Sequence, residues 1–158
     1  RHRRGGDLIN LDRMLLHSAP FAKGWNAFLG EVRNNLSLDP KLRELAMCGV
    51  AVINRAEYEF IHHAPVFVSA GGSEEQVLAM RGIGQHAMPQ GLFNALEQDA
   101  IELTIQMTKA IEVDPNLMGR LQEALGSQRL VELVGVIATY NMVSRFLVAL
   151  DVTPEKHH

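Results

Sequence analysis

The chain reads as all-helical. Apolar residues recur at spacings of three and four almost throughout, no stretch alternates at period two for long, and helix-start signals punctuate the pattern. Seven or eight helices are expected. Asn10 can cap a first short helix running through His17 and ending near Pro20, which can itself open a second helix to about Val32. Asp39-Pro40, an N-cap followed by proline at the first helical position, opens a third to about Asn54. A fourth carries Glu57 to Ala70 and stops at Gly71-Gly72. Ser73-Glu74-Glu75-Gln76 is a capping box, in which side chains at both ends satisfy backbone donors, and it opens a fifth helix to about Arg81. Gly82 to Gly91 reads as a loop and as the best candidate for a mobile lid. A sixth helix is expected from Phe93 to Ile111, Asp114-Pro115 opens a seventh, and Ser127 caps the last, to about Leu150. The third and fourth form an antiparallel hairpin turning around Asn54 to Ala56.

At 158 residues the chain fits one domain able to bury about 68–70% of its unfolded surface. A formal charge of −3 argues against nucleic acid as partner, because phosphate binding needs a concentrated basic face. The only basic cluster, Arg1-His2-Arg3-Arg4, is expected to be a flexible arm or a strap on a neighbouring subunit. A single cysteine, Cys48, cannot form an intramolecular disulfide, and no cleaved leader is recognisable, so a reducing cytoplasm is the expected compartment. On that expectation the sequon Asn35-Leu36-Ser37 is silent. The absence of an initial methionine suggests a missing N-terminal segment, and His157-His158 carry no weight. The longest apolar stretch, Leu130 to Leu150, contains Glu132, Asn141 and Arg145 and reads as a buried core helix rather than a membrane span.

Chemistry concentrates in the hairpin. Glu59 and His63 are four residues apart, so a carboxylate and an imidazole meet on one helix face and form a ready acid/base unit. Glu44 sits among Leu42, Leu45, Ala46 and Met47, where burial would suit it to proton transfer; the alternative is a salt bridge to Arg43, Arg55 or Arg145. For Glu59 and His63 the alternative is a satisfied, half-buried pair. His62 points about 100° away from His63 and can serve the same pocket or a subunit contact. Pro65 removes a backbone donor inside the fourth helix and predicts a kink beside both histidines. Glu59-x-x-His62 copies half of a di-iron element, but no second copy occurs, so neither a metal nor any other cofactor is expected. Cys48 lies one turn after Glu44 and reads as a buried hydrophobe or, without a resolving partner, a peroxidatic thiol. On the last helix Arg145, four after Asn141, can fork onto a substrate carboxylate, pair with Glu44 or contact a neighbouring subunit. Trp25 reads as core.

Taken together, Glu44-x11-Ala56-x2-Glu59-x3-His63 resembles the Glu-x11-Cys-x2-Cys-x3-His motif of the alkylhydroperoxidase D and carboxymuconolactone decarboxylase superfamily, with both cysteine positions replaced. The resemblance extends through Leu11 to Ser18, Leu42 to Gly71 and Leu130 to Asp151. It implies an alkylhydroperoxidase D-like helical subunit that assembles as trimers or hexamers with pockets at subunit contacts. It aligns His63 with the histidine of the thiol enzymes, Glu59 and Ala56 with their cysteines, and Tyr58 with a residue that often joins the proton relay. Loss of the thiols points to the decarboxylase side: a cofactor-independent lyase for a small carboxylated lactone or unsaturated acid, with Glu44, Glu59 and His63 catalytic and Tyr58, His62 and Arg145 holding substrate. The alternatives are a non-catalytic oligomeric binder of small ligands and a residual peroxidase using Cys48.

Overall fold

In the computed structural model, which describes residues 8–155, every regular element is helical. The order is α1 (Asn10–Leu15), α2 (Ala19–Asn34), α3 (Pro40–Ile53), α4 (Glu57–Ser69), α5 (Glu74–Met80), α6 (Ala95–Lys109) and α7 (Pro115–Ala149). The basic cluster at residues 1–4 and the terminal histidine pair lie outside the described residues.

Helix α3 is the axis of the fold. From Glu44 to Ala51 every residue is buried, and the helix packs against α4, α6 and α7. Its residues are small or unbranched enough to permit close approach. A Cβ at Gly49 would stand only 3.0 Å from the Thr104 methyl of α6, so the glycine sets how near those two helices come. Leu45, Met47, Cys48 and Val50 fill the centre with Leu103, Leu121, Leu133 and Ile137, each such side chain contributing roughly 1.5–3 kcal/mol on burial.

Most helix starts follow the caps in the sequence. Asp39 and Asp114 each accept a backbone N–H two residues on, from Lys41 and Asn116, and Ser73 with Gln76 forms the expected reciprocal box. Three boundaries move. The first helix takes Ile9 rather than Asn10 as its N-cap, because the Asp12 carboxylate accepts the Ile9 N–H at 3.3 Å, and it ends at Leu15. Helix α2 runs two residues beyond Val32. Helix α6 starts after Asn94, whose side chain accepts from Glu97 N while Glu97 accepts from Asn94 N. The two expected final helices run on as α7, broken only at Gly126, whose φ of 74° and ψ of 172° lie outside helical space and are cheap only for glycine. Although α7 is long and apolar enough by composition to cross a membrane, it packs along α3 and α6. Helix α4 continues through Pro65.

The hairpin turns where predicted. Arg55 occupies the left-handed region at φ 55°, Ala56 N–H reaches back to Ala51 O at 2.8 Å, and Asn54 Nδ2 is held by Asn141 Oδ1 and Ser144 Oγ of α7 at 3.0 and 2.7 Å.

Candidate active site

The hairpin brings its three ionisable residues into one contact. His63, buried on α4, places Nδ1 2.6 Å from Glu44 Oε2 across the helix pair and Nε2 2.9 Å from Glu59 Oε2 one turn back on its own helix. The first is a hydrogen bond. The second is an ion pair without hydrogen-bond alignment, so Glu59 Oε2 is a fully buried oxygen with no hydrogen-bond partner among the described residues. Its charge is met at 2.9 Å by the His63 imidazole nitrogen.

Electrostatics keep the cluster charged. Burial alone would lower the His63 pKa, but Tyr140 and the Glu44 and Glu59 carboxylates outweigh it and hold the imidazole well above its ordinary range. Burial alone would raise Glu59; His63, Arg33 and His62 overcome it and hold the carboxyl below the usual value. The imidazolium therefore sits between two carboxylates, with the Tyr140 ring edge-on to it at 5.0 Å.

These groups line a pocket of about 310 Å³ that Tyr58, His62, Arg33 and Arg43 also line. Arg43 donates to Glu44 Oε1 at 3.3 Å. Arg33, half-buried on α2, donates from Nε to the Tyr140 hydroxyl at 3.4 Å; among the described residues its terminal nitrogens make no hydrogen bond. The two arginines offset the two carboxylates at the wall, and Arg33 offers a guanidinium to an anionic group entering the pocket.

Tyr58 and His62 meet the pocket differently. The buried Tyr58 hydroxyl accepts from Leu11 N at 3.3 Å and donates to Glu155 Oε1 at 2.9 Å, while His62 Nε2 lies 2.9 Å from Glu155 Oε2. Burial and Glu155 together push the phenol upward. Glu155 itself falls to about 2, because the Asn10 N–H, its own backbone, Tyr58 and His62 overcome its partial burial. Glu59 and His62 thus turn to different partners, and no group of three or more His, Cys, Asp or Glu among the described residues is arranged to hold a metal ion.

Arg145 is not with them. It is exposed, and its Nη1 donates to Asn141 O and Oδ1 on its own helix, where both residues line a separate groove with Thr108 and Met142. The guanidiniums that reach the pocket are those of Arg33 and Arg43, and the only signal of Arg33 in the sequence is a cation on an amphipathic helix. The Gly82–Gly91 segment likewise lines another groove, of about 490 Å³, with Asp99 and Glu102; it contributes nothing to the wall of this pocket. Cys48 is wholly buried, and burial, reinforced by Glu44 and Glu59, pushes its thiol far up, which removes the thiolate that peroxidase chemistry needs.

The fold is all-helical and built on a two-helix hairpin, with two carboxylates and an imidazole converging inside it. The family model of the carboxymuconolactone decarboxylase family matches residues 19–100, just over half the chain. The chain belongs to that family. Among solved structures, an uncharacterized peroxidase-related protein from Silicibacter sp. TM1040 superposes with a TM-score of 0.79 at 15% identity, over 92% of this chain and 75% of that one; the likeness establishes the alkylhydroperoxidase D-like fold. No curated protein matches the chain.

Proposed function

We propose that the protein is a cofactor-independent lyase that removes carbon dioxide from a small carboxylated lactone or unsaturated acid. The single observation that carries this reading is His63 held between the Glu44 and Glu59 carboxylates, at 2.6 and 2.9 Å, at the wall of a pocket that Arg33 and Arg43 also line. In the reaction, the bond between the ring carbon and the leaving carboxylate breaks, its electron pair delocalises into the conjugated carbonyl as a dienolate, and a proton is then delivered to carbon. Arg33 holds an anionic oxygen of the substrate with its terminal guanidinium nitrogens. His63 supplies the proton and recovers it from water, Glu44 fixes the ring through Nδ1, and Glu59 holds the imidazole charged until transfer. One proton is taken up for each carbon dioxide released.

The test is a panel of unsaturated lactone acids assayed for carbon dioxide release, with His63→Gln expected to lower turnover by roughly 10²–10⁴. Unchanged turnover in that variant would remove His63 from the mechanism, and no release from any member of the panel would favour a non-catalytic binding protein. A thiol peroxidase is the weaker reading: Cys48 is the chain's one cysteine and is sealed in the core.

A further inference from the structure

The C-terminal segment after α7 ends in a contact that its position in the chain does not require. Leaving the helix, Val152 N–H bonds to Leu147 O at 3.0 Å, Thr153 O accepts from Asn10 Nδ2 at 2.9 Å, and the strap delivers Glu155 to the pocket residues Tyr58 and His62. The Glu155 carboxylate is received as a ligand's would be. Oε1 accepts from the Tyr58 hydroxyl and from Asn10 N–H, both at 2.9 Å, and Oε2 lies 2.9 Å from His62 Nε2. Tyr58 is itself 97% shielded from solvent, with a relative exposure of 3%, and its hydroxyl is oriented by the Leu11 N–H it accepts. The His62 ring leans on the Tyr58 ring with centroids 4.4 Å apart. Three donors from two separate parts of the chain thus converge on the two oxygens of one carboxylate, and the two side-chain donors line the same pocket as Glu59 and His63.

We propose that Tyr58, His62 and the Asn10 N–H form a carboxylate subsite of this pocket, filled by the chain's own Glu155 and surrendered to the carboxylate of an organic acid ligand when the strap lifts. The inference rests on reading the pocket as a substrate site. The strap is suited to lifting, since residues 151–155 are exposed or half-buried and hold no regular structure. Because Glu155 is tethered, it competes at every ligand concentration and weakens the apparent affinity by the fraction of time the subsite is occupied. Tyr58 and His62, which are saturated in the closed state, become available to ligand in the open one.

The test is a titration with benzoate, followed through the His62 imidazole signals by NMR, in the full chain and in Glu155→Ala. The expected result is at least about tenfold tighter benzoate binding in the variant, abolished in Glu155→Ala/Tyr58→Phe and absent for the uncharged benzamide. Equal affinity in the two proteins, a gain that survives the Tyr58 change, or an equal gain for benzamide would each overturn the subsite. If Glu155→Ala alters the helical circular dichroism, Glu155→Gln, which keeps the length and loses the charge, carries the same expectation in the same direction. The titration needs no turnover. Tighter benzoate binding with no carbon dioxide release would keep the subsite and defeat the lyase reading, and release with unchanged binding would do the reverse.

Discussion

His63 concentrates the chemistry of the molecule into one ring, and its flanking carboxylates set a pH window with a definite sign. Its pKa is raised on folding, so the stability it contributes is fully present below its ordinary value near 6.5 and is lost as pH rises through the higher folded value. Glu59 is displaced the other way; its contribution is present above its ordinary value near 4.5 and is lost as pH falls through the lower folded value. Stability is therefore expected to be flat between about pH 4.5 and 6.5 and to weaken on either side. Urea unfolding at pH 5, 7 and 9 checks this: the gap between the wild type and His63→Gln should narrow towards pH 9, and a constant gap would contradict it. The ring should also retain both nitrogen-bound protons at pH 7.5 in nitrogen-15 spectra, against which a midpoint near 6.5 would count. Arg33 makes a separate prediction at the same scale. A forked, charge-assisted contact to a substrate oxygen is worth about 1.5–3 kcal/mol, so Arg33→Lys should raise KM by about ten- to a hundredfold while leaving kcat nearer the wild type; a pure kcat effect would place Arg33 elsewhere in the reaction.

At the scale of elements, the α3–α4 hairpin positions the site, and its turn is pinned by the Asn54 side chain to Asn141 and Ser144 of α7. Removing that amide takes away two hydrogen bonds at a half-buried junction, while Asn141 Oδ1 keeps Arg145 and the Ser144 hydroxyl keeps Asn141 O, so Asn54→Ala is expected to cost about 1–2 kcal/mol, read as a lower urea midpoint with unchanged slope. A cost under about 0.5 kcal/mol would show that the junction is held by packing alone. This level also shows what the sequence makes legible. Glu44, Glu59 and His63 could be placed together because two lie one helical turn apart and the third faces them across a short hairpin, both of which are local rules. Ser73 and Asp114 announced their helices by the same local chemistry, and Asn94 with Glu97 carried an equally readable box that the apolar run through Phe93 obscured. Arg33 and Glu155 were not legible, since each reaches the pocket through tertiary packing, from α2 and from a strap at the far end of the chain, at separations no periodicity encodes. Arg145 misled for the converse reason: a cation on an apolar helix invites a buried role, yet its own helix supplies the Asn141 oxygens that satisfy it on the outer face.

The whole molecule leaves apolar surface that one subunit does not cover. On α2, Ala22, Trp25, Leu29 and Val32 face inward, while Phe21, Gly24 and Phe28, three and four residues apart, form a stripe flanking that face. Phe21 and Phe28 remain 48% and 53% exposed, and Leu16 just before the helix 62%. Phe21 stacks on Phe146 of α7 at 5.5 Å, so the stripe continues onto a second helix rather than standing as an isolated side chain, and contiguous apolar patches of this kind mark contact surfaces. Nothing crowds Gly24, where an added Cβ would meet no atom within 4 Å. A homo-oligomer, a trimer or a pair of trimers, is therefore expected through this face, burying more than about 1,000 Å² at each contact. Light scattering at low micromolar concentration should return a multiple of the 17.5 kDa subunit mass, and Phe28→Asp, which sets a charge in the middle of the stripe at an exposed position, should return the single subunit with its helical signal intact. A wild-type mass of one subunit would refute the assembly, and an oligomer undisturbed by Phe28→Asp would move the interface away from α2.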